Sequence, residues 1–243
     1  MNGIQSPAPS IDVARVEIEW VASGRRDRRS AVDVAGVLFE VTDRVRQPES
    51  WKHKKNYEGF YWAATTGRHV WFESLYERAA LMRFDRDRRV LAIASQPMTV
   101  HWGVGARWHV PDFFVRYRDG RGVVVDVKPA KRIDERDVET FRWTAALCEG
   151  LGWGYQVVSD ISTMEDRNLR FLSGYRYDRW VSTGADVCLG AHVGEERTLQ
   201  DWASELNDAC PEPLGAVYSA ACWRRLQVDP DDRLSLRSMA RAV

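Results

Sequence analysis

Cysteine is scarce in this chain, and the four present, Cys148, Cys188, Cys210 and Cys222 of 243 residues, are widely and irregularly spaced. That pattern fits neither a zinc knuckle nor a dense disulfide framework and points to reduced thiols. Charge imbalance is absent too: 35 Lys and Arg stand against 35 Asp and Glu. No global field therefore draws the protein to DNA or anionic lipid, and nucleic-acid binding would need local basic patches or partners. No uninterrupted apolar run is long enough to span a bilayer, and Met1-Asn2-Gly3-Ile4-Gln5-Ser6-Pro7 has no charged segment leading into an apolar one. A cytoplasmic location is the expectation. Internal repeats and low-complexity segments are also missing, which argues against a solenoid.

What is there is a globular composition, 44% apolar and 29% charged with 11 Trp, enough for one core plus a smaller appended domain. The Ser- and Pro-containing first ten residues read as a disordered lead. Short alternating patterns over residues 13–21 and 31–43 suggest strands, separated by Arg25-Arg26-Asp27-Arg28-Arg29. A second basic stretch, residues 44–55, carries Arg46, Lys52, Lys54 and Lys55 interleaved with Trp51. Such runs are either solvated loops or arms that contact phosphates. Residues 1–55 thus read as an N-terminal extension of strands and basic loops.

From Phe72 the period becomes helical, with Leu75, Ala79 and Met82 on one face and Glu73 and Glu77 one turn apart on another. Residues 90–100 read as extended, broken at Pro97, and residues 108–117 as a second strand. Asp119-Gly120 is a hairpin turn leading into the apolar strand Val123-Val124-Val125-Asp126-Val127-Lys128, which Pro129 stops. Asp134 caps an amphipathic helix with the stripe Val138, Phe141, Ala145 and Cys148, and residues 155–158 give one more strand. The expected nuclease-sized core covers 56–162, with an order of helix, three strands, helix and strand. Mixed polar helical segments with a break at Pro211 and Pro213 make 163–243 a small helical C-terminal domain.

Asp126 and Lys128 lie two apart in a strand, so both side chains leave the same face. Asp112 follows Pro111 within an apolar strand, where a carboxylate is costly to bury unless a metal or a paired charge receives it. The turn at Asp119-Gly120 sets these strands side by side, so both carboxylates can converge on one hard cation ringed by oxygen. Asp-x-Lys or Pro-Asp alone is weak. Their combination with a glutamate-bearing helix before and an amphipathic helix after gives the element order of the restriction-endonuclease-like α/β (α+β) core, a mixed central sheet flanked by helices.

The run 56–160, above all Phe72-Glu73-Ser74-Leu75-Tyr76-Glu77-Arg78, Ser95-Gln96-Pro97, Val110-Pro111-Asp112-Phe113 and Val125-Asp126-Val127-Lys128-Pro129, resembles the TnsA family of the PD-(D/E)xK superfamily. The likeness extends loosely through 168–175 and 226–234. It implies an endonuclease subunit of a heteromeric transposase that cuts the 5′ strands at transposon ends, beside a DDE-type transposase and an AAA+ regulator ATPase. It further implies Asp112 and Asp126 as Mg2+ ligands, with Mn2+ able to substitute, and Glu77 completing the ligand set. Glu77 ends the family's Ser-x-x-Glu pattern, and Glu73 is the alternative. Lys128 would orient the attacking water or steady the phosphate. Some relatives carry glutamine where this chain has Asp126; the aspartate is closer to the general nuclease pattern. Gln96 is a supporting candidate, and Lys131 and Arg132 are candidates for DNA contact beside Lys52, Lys54 and Lys55. The competing readings are a repair or restriction nuclease on the same fold and a non-catalytic DNA- or partner-binding protein.

Overall fold

A computed structural model describes residues 11–46, 57–103 and 107–243. The expected lead of residues 1–10 and the basic candidates Lys52, Lys54 and Lys55 lie outside the described residues. In chain order the elements are β1 (Glu17–Ala22), β2 (Arg25–Ser30), β3 (Gly59–Ala63), β4 (Arg68–Phe72), α1 (Leu75–Asp85), β5 (Val90–Ser95), β6 (Thr99–His101), β7 (Trp108–His109), β8 (Phe113–Tyr117), β9 (Gly122–Val127), α2 (Glu135–Gly150) and β10 (Gly154–Val158). There follow α3 (Thr163–Leu172), α4 (Thr183–Ala191), β11 (Glu196–Thr198), α5 (Leu199–Glu205), α6 (Pro213–Cys222), β12 (Leu226–Val228) and β13 (Met239–Ala242). The described residues divide into two units: one holds those up to Tyr61, His69–Glu77 and Arg89–Asp160, the other Trp62–Arg68, Arg78–Arg88 and Ile161–Val243.

In the first unit the central sheet runs β10-β9-β8-β5. β5, β8 and β9 pair antiparallel, while β9 and β10 are parallel. Parallel neighbours need a long crossover, and α2 supplies it. Asp134 caps α2 by accepting from the Asp137 amide, and Asp137 returns the bond to the Asp134 amide. The β8–β9 connection turns on Gly120, whose φ of 89° suits a residue without a Cβ. Gly122 has a second constraint, because a Cβ there would stand 2.4 Å from the Phe114 ring.

A second sheet, β2-β1-β6-β7, uses segments the sequence resolves less well. The Arg25–Arg29 run, expected as a solvated loop or a phosphate-contacting arm, is strand β2, because Arg26 and Arg28 pair with Glu19 and Glu17 of β1 and Arg29 stacks over Trp20. Cross-strand pairs of opposite charge favour this pairing. Residues 31–43, expected as a strand, instead form 3-10 turns. The turn at Phe39–Val41 drops the fully buried Phe39 among Trp20, Phe114 and Trp153, at centroid distances of 5.4–5.9 Å. Burial of that ring outweighs the local alternation. The continuous strand expected over 108–117 is broken as well: β7 ends at His109 and β8 begins at Phe113. Pro111 has no amide to donate to a ladder, so the chain leaves one sheet there and joins the other.

In the second unit α3–α6 supply the expected helices, and a three-stranded sheet β11-β13-β12 joins them, which the polar texture of 163–243 did not disclose. Trp202 is fully buried at its centre and donates Nε1–H to the Ala240 carbonyl at 2.8 Å, so α5 is tied to β13. α6 starts with Pro213 in its first turn and is buried almost all round. Buried Asn168 on α3 organises the chain before β13: its Nδ2 donates to the Pro230 and Asp232 carbonyls at 2.9 and 2.7 Å, and its Oδ1 accepts from the Leu234 amide at 3.2 Å. Asn168→Ala leaves those backbone groups without partners at about 1 kcal/mol or more each. Chemical denaturation should show a loss of about 2–4 kcal/mol, and Asn168→Asp should restore little of it, since a carboxylate cannot donate to the two carbonyls.

Candidate active site

β8 and β9 pair Phe113 with Val125, and continuing that register sets Asp112 opposite Asp126. Residues directly opposite in an antiparallel pair share a face. Asp112 stands at the entrance to β8 rather than inside a continuous strand, for the reason Pro111 gives. Its Oδ2 accepts from the Val127 amide at 2.7 Å, and its own carbonyl accepts from the Gln96 amide at 2.8 Å. Burial pushes its pKa well above the usual carboxylate range; the charges of Glu77, Asp126 and Glu73 push the same way, and the Val127 bond opposes them.

Asp126 is buried at the end of β9 and has two partners that the sequence reading did not single out. Both its oxygens lie 2.9 and 3.1 Å from His109 Nε2, a geometry that suits a proton on Nε2 donated to the carboxylate, and Tyr155 Oη donates to Oδ2 at 2.6 Å. Burial and the facing Asp126 charge raise the Tyr155 pKa far above its ordinary value, so the phenol stays a donor. His109 ends β7, so its contact with Asp126 links the two sheets of this unit. The legible signal for it was its place three residues before Asp112, on the near side of Pro111. For Tyr155 it was the strand parallel to β9.

Ser74 precedes the first residue of α1, and Glu77 is the third residue of that helix. The Ser-x-x-Glu pattern is thus also a helix cap: Ser74 Oγ accepts from the Glu77 amide at 3.2 Å and donates to Glu77 Oε1 at 2.8 Å, while Oε2 accepts from the Glu73 amide at 2.7 Å. Burial raises the Glu77 pKa; the Glu73 charge adds to this, while these hydrogen bonds and Arg46 oppose it. Glu73 has Arg46 at 3.8 Å, and Arg46 in turn lies 5.4 Å from the centre of the Trp108 ring. Glu77 acts on Asp112 more strongly than Glu73 does.

Lys128 lies one residue beyond the end of β9, the strand of Asp126, and is engaged elsewhere, its Nζ 2.5 Å from Asp137 Oδ2 in the first turn of α2. Burial works to raise the Asp137 pKa; the bonds from Lys128 and the Asp134 amide prevail, and it lies below its ordinary value. Gln96 makes no described bond to Glu77. It adopts φ 47°, a left-handed conformation that costs a non-glycine residue about 1 kcal/mol or more, and its buried Oε1 has no hydrogen-bond partner. Lys131 and Arg132 are exposed on the 3-10 turn Ala130–Arg132.

Glu77, Asp112 and Asp126 are near enough for Asp112 to feel both neighbours, yet their ligand oxygens do not all come within 4.8 Å of one another. The donor set is carboxylate throughout, two members of it hold their protons more tightly than usual, and the buried Gln96 Oε1, on the residue whose amide bonds the Asp112 carbonyl, lacks a partner. Like charges in a dry site repel, and a hard cation with oxygen ligands is the species that relieves them. The residues fit such an ion.

An α+β unit with a mixed sheet, a crossover helix behind it, carboxylates on adjacent strands and a lysine two residues beyond one of them has the restriction-endonuclease-like architecture. Residues 87–160 match the model of the TnsA-like endonuclease N-terminal domain, so this stretch is similar to that domain. It contains Asp112, Asp126, Lys128, His109 and Tyr155, while Glu77 precedes it. Comparison with curated proteins gives no match.

The raised Asp112 carboxyl fixes a sign for the dependence of stability on pH. Its folded pKa exceeds the unfolded value of about 3.9, so the native state is unpenalised below about 4, is penalised increasingly as pH rises from there to the folded pKa, and carries the full penalty above it. In metal-free buffer Asp112→Asn should therefore hold or raise the melting temperature at pH 8, by about 2–4 °C for each kcal/mol relieved. The advantage should shrink to nothing near pH 4. Differential scanning calorimetry across that range checks it, and a variant least stable relative to wild type at high pH would contradict the assignment.

Proposed function

We propose that this protein is the metal-dependent endonuclease subunit of a heteromeric transposase, cleaving the 5′, non-transferred strands at transposon ends. The observation that carries the reading is the meeting of Glu77, Asp112 and Asp126 in one poorly solvated site, with Lys128 two residues from Asp126. The TnsA-like match of the stretch holding three of these four residues supports the transposition setting. Double-stranded DNA at the ends, a DDE-type transposase and an AAA+ ATPase are the partners that follow from it.

Asp112 and Asp126 would hold Mg2+, or Mn2+ in its place, with Glu77 completing the set. Such an ion lowers the pKa of water and offsets charge on the phosphodiester. His109 and Tyr155 hold the Asp126 carboxylate in one orientation by hydrogen bonds to both its oxygens, a form of preorganisation. Ser74 and the Glu73 amide do the same for Glu77. Lys128 exchanges its partner Asp137 for the substrate phosphate or the attacking water, placing a cation against the developing negative charge. Lys131 and Arg132, just beyond the strand and exposed, meet the DNA backbone.

Loss of a ligand forfeits several kcal/mol of transition-state stabilisation, and each 1.36 kcal/mol is about tenfold in rate. Asp126→Asn and Lys128→Ala should each reduce cutting of the 5′ strands by about a hundredfold or more. The 3′ strands should still be processed in a reaction reconstituted with the co-encoded transposase, because that chemistry belongs to a separate site. Denaturing gels of both strands read the result: undiminished 5′ cutting by Asp126→Asn refutes the mechanism, and loss at both ends points to assembly instead.

A further inference from the structure

Away from the nuclease centre, the second unit brings together a cysteine, a histidine and a glutamate whose ligand atoms all lie within 4.8 Å of one another: Cys188, His192 and Glu205. Cys188 and His192 are four residues apart across α4 and its C-cap, hence on one face. Glu205 is the last residue of α5. His192 Nδ1 donates to the Cys188 carbonyl at 2.9 Å, which places the ring proton on Nδ1 and leaves the Nε2 lone pair free. Nε2 is turned toward Glu205 Oε1 at 3.7 Å, too long for a hydrogen bond. Histidines that bind metals are commonly oriented in this way, by a backbone carbonyl on the other ring nitrogen. The opposite Glu205 oxygen, Oε2, is taken by Arg197 at 2.6 Å, so the carboxylate presents Oε1 to the cluster.

The other cysteines set Cys188 apart. Cys148, Cys210 and Cys222 are buried; burial pushes the Cys148 and Cys222 thiols up to about 12, and the Cys210 thiol donates to the Leu206 carbonyl. Those three are packing groups. Cys188 is half-exposed beside an imidazole and a carboxylate.

We propose that Cys188 Sγ, His192 Nε2 and Glu205 Oε1 bind one divalent transition metal of the zinc class. A sulfur, nitrogen and oxygen donor set suits a borderline-soft ion and disfavours magnesium. Three protein ligands leave a fourth tetrahedral position for water or another ligand. The ion joins the end of α4 to the end of α5, on either side of β11, and so fastens the unit's helices around Trp202, against which the His192 and Arg197 side chains both pack. Thiolate and carboxylate together balance the charge of a divalent ion.

The test uses the full chain, stripped with a chelator under reducing conditions and then titrated with Zn2+ and separately with Co2+. About one equivalent of zinc should bind and raise the melting temperature, and the cobalt form should show a thiolate-to-metal charge-transfer band with tetrahedral ligand-field absorption. Cys188→Ser should abolish that band, and His192→Gln should weaken zinc binding about tenfold or more. Asp126→Asn should leave both signals intact, which separates this site from the nuclease centre. A wild-type cobalt spectrum without a thiolate band overturns the proposal whatever the variants do. So does a band that persists in Cys188→Ser, or zinc bound at well under one equivalent.

Discussion

Negative charge held where little water reaches it is the condition around which the first unit is arranged. Burial pushes the Asp112 and Glu77 pKa values up; the charges of Glu77 and Asp126 add to the rise of Asp112, and the charge of Glu73 adds to that of Glu77. Hydrogen-bond donors resist the repulsion: the Val127 amide on Asp112, His109 and Tyr155 on Asp126, and Ser74 with the Glu73 amide on Glu77. Each donor comes from a different place in the fold, so the site depends on β9, the end of β7, β10 and the cap of α1 being assembled together. A site of this kind stores unfavourable interaction in the free protein that a cation can release.

The backbone around the site follows the same logic. Pro111 ends β7 and lets the chain change sheets, which puts His109 on one sheet and Asp112 at the edge of the other, both within reach of the site's carboxylates. Gln96 sits opposite that crossing in a left-handed conformation, joined to Asp112 through the backbone. Strain at such a position persists because the surrounding pairing of β5 with β8 fixes it. Some of the chain's basic charge is answered locally, the β2 arginines Arg26 and Arg28 pairing with the glutamates of β1. Exposed pairs of this kind add little stability, and they leave Lys131 and Arg132 as exposed cations close to the Asp126–Lys128 strand end.

The second unit is built differently. Its core is Trp202 with leucines from α4, α5 and β12, and its small sheet is closed by Asn168 fixing the chain ahead of β13. Where the first unit tolerates repulsion to keep a site, this one pairs the buried amide of Asn168 and the indole N–H of Trp202 with its own backbone.

Much of this was legible in the sequence because it rests on local rules. The apolar run Val123-Val124-Val125 fixed a buried strand with Asp126 near its end and Lys128 just beyond it, Asp119-Gly120 fixed the hairpin that pairs it with β8, Asp134 fixed the start of α2, and the Pro-Asp and Asp-x-Lys spacing marked the candidate carboxylates. What lay beyond sequence was every contact between residues far apart in the chain. Alternation could not tell that residues 31–43 would coil so that Phe39 reaches Phe114 and Trp153, or that an arginine run would pair as strand β2. Nor could spacing show that His109 and Tyr155 hold Asp126, that Lys128 rests on Asp137, or that Cys188 and His192 meet Glu205. Local propensity decides which elements form; the burial of rings and the pairing of charges across the fold decide which side chains meet.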